Sequence, residues 1–203
     1  MRQVYGQGQY RISNTDAIGR RVIDRYHAIL KSEKTPVIVD AGANIGAASL
    51  VFASQFPRAV TVAVEPEDAN FAVLVKNSGE RIKPIKAAIG STPGHVALGS
   101  HGLGWTTRTT RSDTGLPVVT MTQAFNSVEN GTPFIAKIDI EGFEDDLFST
   151  NTEWLNEVFV AYIEPHDWML PGQHTSRTFQ RAMAEHDFEL FIAGELIVYV
   201  RVD

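Results

Sequence analysis

Short apolar runs and amphipathic stretches alternate along the chain. PVIVDAG (36–42) and AVTVAVEP (59–66) are dense in β-branched residues, with few polar positions between them. That density predicts strands buried on both faces of a parallel sheet. IKPIKAAIG (82–90), PFIAKIDI (133–140) and VFVAYIEPH (158–166) read the same way. Between the strands the period lengthens. AIGRRVIDRYHAILKSEK (17–34) sets Ile18, Val22, Tyr26, Ile29 and Leu30 near helical spacing. IGAASLVFASQF (45–56) predicts a helix stopped by Pro57, and EDANFAVLVKNS (67–78) a helix with an acidic first turn, as its dipole favours. TQAFNSV (122–128) suits a short helix, and SRTFQRAMAEHDF (176–188) a longer one. ELFIAG (189–194) and ELIVYVRV (195–202) predict a closing antiparallel hairpin through Gly194-Glu195. The β-α-β-α-β succession over 36–90 predicts an α/β, doubly wound, mostly parallel sheet.

Two regions are less regular. HVALGSHG (95–102) and LPVVTM (116–121) suit β-ribbon, and WTTRTTRSDTG (105–115) reads as a polar loop between them. Trp105 in that loop is placed either to stack on a sugar or to pin the loop to the core. The head, residues 1–16, is polar with Gly6 and Gly8 and reads as a loosely held arm.

At 203 residues, one domain with a sizeable core is expected. The division is an arm and helix over 1–36, a cap or lid of the same domain, followed by a ligand-binding domain over 37–203. Net charge is -6, which argues against nucleic acid or an anionic membrane as the main partner. There is no cysteine, so disulfides, thiolate zinc sites and a thiol nucleophile are excluded. The head has no apolar core of the kind a secretory signal carries, and no run reaches the ~20 apolar residues of a membrane span. A cytoplasmic location is expected.

Four strands finish on carboxylates: Asp40, Glu65, Asp139 and Glu164. In an open parallel sheet, ligands bind beyond the carboxyl ends of the strands, so these acids would face one crevice. Any one of them alone reads as a cap for the next helix, but Asp40 and Glu65 precede glycine and proline turns instead. VDAGANIG (39–46) lets a ligand approach the main chain and a helix N-terminus. An acid ending the second strand suits ribose hydroxyls. Dinucleotide sites carry a glycine in the middle of G-x-G-x-x-G, where Asn44 stands here. That disfavours a pyrophosphate and suits a nucleoside with a small zwitterionic tail, as in S-adenosylmethionine.

VDAGANIGAASLVFA, VAVEPEDANFAVLVKN, AKIDIEGFEDDLF and AYIEPH, in that order, resemble the FkbM family of S-adenosylmethionine-dependent methyltransferases. KIDIEGFE is the most specific element, supported by D-x-G-A-N-x-G and EP-x-x-x-N. The resemblance covers roughly residues 37–202. It implies a class I methyltransferase (Rossmann-like) fold, with a seven-stranded sheet ending in an antiparallel hairpin, and methyl transfer to a hydroxyl, commonly on a sugar or polyketide-type product.

By motif, Asp40, Gly42, Asn44 and Gly46 would line the methionine part of the cofactor, and Glu65 would hold the ribose. Ala87 and Ala88 would lie near adenine, or are ordinary small residues of a buried strand. Asp139 would anchor the cofactor ammonium, polarise the acceptor hydroxyl or ligate a metal. Glu141 points into the same cleft if the strand continues, while Glu144, Asp145 and Asp146 read as a solvated helix turn. Lys137 shares a face with Asp139 and reads as an ion-pair partner rather than a base. His166 is either a general base or a structural histidine. Asp139, Glu164 and His166 together could hold a divalent cation such as Mg²⁺ or Mn²⁺.

The expected activity is O-methylation of a small-molecule acceptor, catalytic through Asp139, Glu141 and His166. The alternatives are a nucleotide-dependent oxidoreductase on a similar sheet and an inactive nucleoside-binding module. The arm, with Tyr5, Tyr10 and Arg11, is expected to close over the acceptor while adding little to the core.

Overall fold

Helix α1 (Ala17–Lys31) starts where the Asp16 carboxylate accepts the Gly19 N–H at 2.7 Å. It buries Val22, Tyr26 and Ile29, the stripe that the spacing predicts. The computed structural model describes residues 10–13, 15–100, 107–169 and 171–202. Strand β1 (Thr35–Ala41) follows, then helix α2 (Ala47–Gln55), β2 (Val60–Val64), helix α3 (Asp68–Asn77) and β3 (Ile82–Ile85). Gly46, at φ 85°, turns the chain into α2, and a Cβ there would meet Leu74 Cδ1 at 2.7 Å.

The run 82–90, expected as one strand, is two. β3 lies at one edge of the main sheet, where Pro84 needs no ladder donor. β4 (Ala88–Ile89) leaves for a second sheet, which it forms with β5 (Gly94–Ser100), β6 (Thr107–Ser112) and β7 (Leu116–Val119). Most of the polar stretch read as a loop is therefore β6, paired antiparallel with β5 from His95–Ser112 to Ser100–Thr107. Its threonines favour extended backbone, and only one face need be apolar in a ribbon. Trp105 lies outside the described residues.

Helix α4 (Met121–Asn126) opens on a capping box between Thr120 and Gln123. β8 (Gly131–Ile138), the short helix α5 (Glu144–Leu147), a 3₁₀ turn (Glu153–Asn156) and β9 (Val160–Ile163) come next. Helix α6 (Ser176–Ala184), β10 (Phe188–Ala193) and β11 (Leu196–Arg201) complete the chain. The main sheet has seven strands in the order β10-β11-β9-β8-β1-β2-β3. β3, β2, β1, β8 and β9 run parallel, and β11 and β10 form the expected antiparallel hairpin. The order reverses between β1 and β8, where such sheets open a crevice.

One face of the sheet packs Val37, Val39, Ala136, Ile138, Ala161 and Ile163 against α4–α6. The other packs Ile38, Ile135, Val160 and Tyr162 against α1 and α2. Tyr10 belongs to that second core. Its ring meets Phe52 edge-on at 5.6 Å and Tyr162 at 5.6 Å. Gln55 grips the arm twice, accepting the Ile12 N–H at 3.0 Å and donating to the Tyr10 carbonyl at 3.1 Å. The described end of the arm is thus anchored, which corrects the expectation that residues 1–16 add little to the core. Residues 1–9, including Tyr5, lie outside the described residues.

Tyr10→Ala should lower stability by about 3 kcal/mol, the scale for emptying a buried aromatic site. Urea denaturation measures it, and a wild-type midpoint would show that the arm carries no core packing.

Candidate functional site

The carboxyl ends of β1, β2, β8 and β9 converge as the four acids suggest. Gly42, at φ 72°, follows β1. A Cβ there would lie 1.8 Å from the Asp139 carbonyl oxygen, so only glycine lets the first turn and the end of β8 meet. Asn44, at φ 51°, and Ala43 complete the turn, and Ala43 N–H donates to the Val64 carbonyl. Glu65, past the end of β2, accepts the Asn44 N–H at 2.8 Å on one oxygen and the Glu67 N–H at 2.9 Å on the other. It therefore ties two loops rather than capping a helix. Glu67 caps α3 by accepting the Asn70 N–H. Burial pushes the Glu65 carboxyl up in pKa, against the pull of these two N–H groups.

A crevice opens between these loops. Gly42, Asn44, Glu65, Ala88, Asp139 and Glu141 line it, as expected. Asn70, Thr109, Ile140 and Phe143 line it too. Asn70 is the last residue of the EP-x-x-x-N motif, and Thr109 arrives on the unforeseen β6. Ala87 and Gly46 are buried and Asp40 is fully buried, and neither they nor Glu164 and His166 line the crevice, so of the four strand-end acids only Glu65 and Asp139 do. Glu141 reaches the crevice by a different route from the expected one. The strand ends at Ile138, and a turn with Glu141 at φ 50° and Gly142 at φ 92° carries it there.

Beneath the crevice lies a buried ion network. The Lys137 ammonium sits 3.1 Å from Asp40 and 3.4 Å from Asp139, and donates to the Gly42 carbonyl at 2.6 Å. Asp40 also accepts the Ser49 hydroxyl at 2.6 Å. Burial alone would lower the Lys137 pKa, but Asp40 and Asp139 outweigh it and raise it. The ion-pair reading of Lys137 holds, with Asp40 as its nearer partner.

His166 is 3% exposed. Its Nδ1 lies 2.7 Å from Glu144, and its Nε2 lies 3.5 Å from Asp139 and 4.0 Å from Glu164. Burial would lower its pKa, but the Glu144 hydrogen bond and the three carboxylate charges raise it. With Nδ1 donating to Glu144, a neutral ring keeps its lone pair on Nε2, toward the other two acids. Glu144 is thus buried and committed to His166, not part of a solvated turn. Asp146 is also engaged: Arg111 forks onto both its oxygens at 2.6 and 2.7 Å, and the Ser91 N–H donates to it. Burial works against these bonds, yet the Asp146 carboxyl ends below its usual range. Asp145 accepts the Thr178 hydroxyl from α6.

One ligand atom each from Asp139, Glu164 and His166 lie within 4.8 Å of one another, close enough for a shared cation. Burial and the neighbouring Asp139 push Glu164 up to about 7, with His166 and Lys137 pulling the other way. The Tyr10 phenol feels the charges of the same cluster. Burial pushes it up, with Lys137 opposing and the acids reinforcing, so it stays protonated.

No protein-family model matches the chain, and no curated protein matches it at a significant level. Solved structures do. The methyltransferase FkbM of Methylobacillus flagellatus KT superposes with a TM-score of 0.51 at 13% identity, over 82% of this chain and 43% of that one. The chain thus spans less than half of that protein's length. A precorrin-6y C5,15-methyltransferase of Geobacter metallireducens GS-15 gives a TM-score of 0.48 at 8% identity, over 96% and 95%. The fold is that of the class I methyltransferases: a Rossmann-like, mostly parallel sheet closed by an antiparallel hairpin.

The raised Glu164 pKa sets a pH dependence of stability. A carboxyl whose pKa is higher folded than unfolded adds stability that is full below its unfolded value near 4.5 and is lost as pH rises through about 7. In chelator-treated protein, Glu164→Gln should therefore remove a loss on the order of 2 kcal/mol between pH 5 and pH 8. Urea denaturation at both pH values measures it, and parallel wild-type and variant pH profiles would rule it out.

Proposed function

We propose that this chain is an S-adenosylmethionine-dependent O-methyltransferase of the FkbM type, acting in the cytoplasm on a hydroxyl of a sugar or small natural product. The observation that carries the reading is the crevice itself: a glycine turn, the Glu65 carboxylate and Asp139 on one wall, with His166 beside them. The residues fit such a cofactor. Glu65 takes the Asn44 and Glu67 N–H groups and the Asn70 side chain, and a carboxylate with about four acceptor positions keeps capacity for a ribose hydroxyl. Asp139, on the rim of the ion network, suits a cationic group. Ala88 leaves room for a flat base. Asn44 at the middle of the glycine turn and the closing hairpin both count against a dinucleotide oxidoreductase. The intact acid cluster counts against an inactive module.

The bound cofactor would supply an electrophilic methyl group on its sulfonium. The chain's share is to hold the acceptor oxygen in line and manage its proton. His166 Nε2 is placed to take that proton, with Glu144 fixing the ring and stabilising its cationic form. Asp139 and Glu141 would orient the hydroxyl from the crevice side. A second reading comes from the clustered ligand atoms: Asp139, Glu164 and His166 would hold Mg²⁺ or Mn²⁺, with Glu144 as the outer partner of the histidine. The cation would then polarise the acceptor oxygen.

Calorimetry should show binding of S-adenosylmethionine and S-adenosylhomocysteine, and none of NAD. NAD binding without response to either methionine nucleoside would sink the proposal. Glu65→Ala should cost about 1.5–3 kcal/mol of cofactor affinity, the scale of hydrogen bonds to a charged group, with little change in the acceptor KM. Chelation separates the two roles of the histidine cluster. If His166 is a base, chelator leaves turnover intact and His166→Ala removes the acidic limb of the pH–rate profile. If the cluster binds a cation, chelator abolishes turnover and Mg²⁺ or Mn²⁺ restores it. Full activity of His166→Ala at every pH, with no chelator effect, excludes both.

A further inference from the structure

The second sheet meets the crevice along its two edges. Ala88 and Ile89 of β4 line the crevice, and so does Thr109 of β6. In the order β4-β7-β5-β6, the ladder holds β6 through β5 alone. Backbone pairing therefore leaves Thr109 on the outermost strand of a small sheet, where a two-stranded ribbon is only marginally stable by itself. Keeping that strand against the crevice takes a further contact.

Arg111 supplies it. Thr109 and Arg111 project from the same face of β6, opposite Leu98 and Val96 of β5. Val96 is fully buried and packs with Ala88, Val118 and Phe143, so this face is turned inward. The Arg111 guanidinium forks onto Asp146 at 2.6 and 2.7 Å and donates to the Thr92 carbonyl at 2.8 Å. It also lies 5.7 Å from the centre of the Phe143 ring, and Phe143 lines the crevice. Asp146 in turn accepts the N–H of Ser91, two residues beyond Ile89. One side chain thus joins β6, the end of β4 and the turn after β8 that carries Asp139 and Glu141. That turn is costly on its own, since Glu141 takes φ 50°.

We propose that Arg111 is a positioning residue of the cofactor crevice: through Asp146 and Phe143 it holds β6 in place, so that Thr109 and Phe143 close on the flat base of the cofactor, with the Thr109 hydroxyl at the base edge. This rests on the methyltransferase reading and names what fixes its base site. An ion pair at the surface adds little to global stability; what a fork adds is a fixed geometry. A planar guanidinium can reach both Asp146 oxygens while covering an aromatic face, which a lysine ammonium does not do.

The test uses the full-length protein with S-adenosylhomocysteine as the probe. Calorimetry should show at least about tenfold weaker binding by Arg111→Ala, while the melting temperature falls by no more than about 4 °C. Arg111→Lys keeps the charge without the fork and should still lose at least about threefold. Thr109→Val should weaken binding about threefold, the scale of one neutral hydrogen bond. Because Arg111 acts through the wall, Arg111→Ala combined with Thr109→Val should bind within about twofold of Arg111→Ala alone, whereas independent sites would multiply to about thirtyfold. If Arg111→Ala does not fold, Arg111→Lys takes its place in that cycle, where the combined loss should again stay within about twofold of the single variant. Hydrogen exchange gives a direct reading: the probe should protect the β6 amides in the wild type and not in the Arg111 variant. Undiminished affinity in the Arg111 variants, multiplying losses in the cycle, or equal protection of β6 in wild type and variant overturns the assignment. No binding by the wild type overturns the methyltransferase reading, and the assignment with it.

Discussion

Everything at the crevice depends on one buried cation. Lys137 lies on β8 beside Asp40 of β1, and its ammonium has no water to return to. An unpaired ion in that position would cost several kcal/mol, so the two flanking carboxylates and the Gly42 carbonyl are required of it. The network adds little net stability over an apolar core of the same shape, because desolvation offsets the attraction. What it provides is placement. One ammonium holds the end of β1, the turn after it and the first residue beyond β8 at fixed distances. Ser49 extends the hold to α2 through Asp40.

Around that centre the two sides of the site are built differently. The glycine-turn side is closed by backbone contacts. Gly42 touches the Asp139 carbonyl with no room for a side chain, and Glu65 pins the turn after β1 to the turn after β2. A ligand there meets a surface that is already in place, so little ordering is left to oppose binding. The opposite side is assembled from parts distant in sequence. The arm at Tyr10 and Ile12, the start of α1 and the β10–β11 turn meet there through side-chain packing and the Gln55 grip. Such a surface varies with a few side chains while the sheet beneath it stays unchanged.

Much of this was legible because it depends on period and local chemistry. Continuous β-branched runs bounded by acids and glycines locate β1, β2, β8 and β9, and of the acids at their ends Glu65 and Asp139 line the crevice while Asp40 is buried and Glu164 joins the histidine cluster beside it. Gly42 and Gly46 were legible as a turn that lets a ligand approach the main chain, whereas Asn44 read only as filling the middle glycine position, and its left-handed backbone is a finding of the structure. Long-range pairing was not legible. β6 has no apolar alternation, so only its partner β5 reveals it as a strand. The break between β3 and β4 follows from β4 pairing with β7, more than twenty residues on. Glu144 read as a solvated turn because its neighbours in sequence are charged. Its burial depends on His166, which arrives from the loop after β9. Tyr10 read as part of a loose arm because its polar neighbours outweigh one ring, whereas Phe52 and Tyr162 decide its place.

The remaining consequence is electrostatic. Asp40, Asp139, Glu144 and Glu164 share a small volume with only Lys137 and His166 as cations among the described side chains of the cluster. Lys137 faces Asp40 and Asp139, and His166 faces Glu144, so Glu164 is left with the weakest share of positive charge. Burial and then Asp139 push its carboxyl up to about 7, more than His166 and Lys137 pull it down, while His166 moves toward its cationic form. The acid cluster beside the crevice therefore carries an unmet demand for positive charge near neutral pH. A proton on Glu164, a divalent cation or a cationic group of a ligand each meets that demand, and they compete for the same place. A ligand bearing fixed positive charge would displace the proton and lower the Glu164 pKa as it binds, which couples occupancy of this place to the protonation state of the cluster.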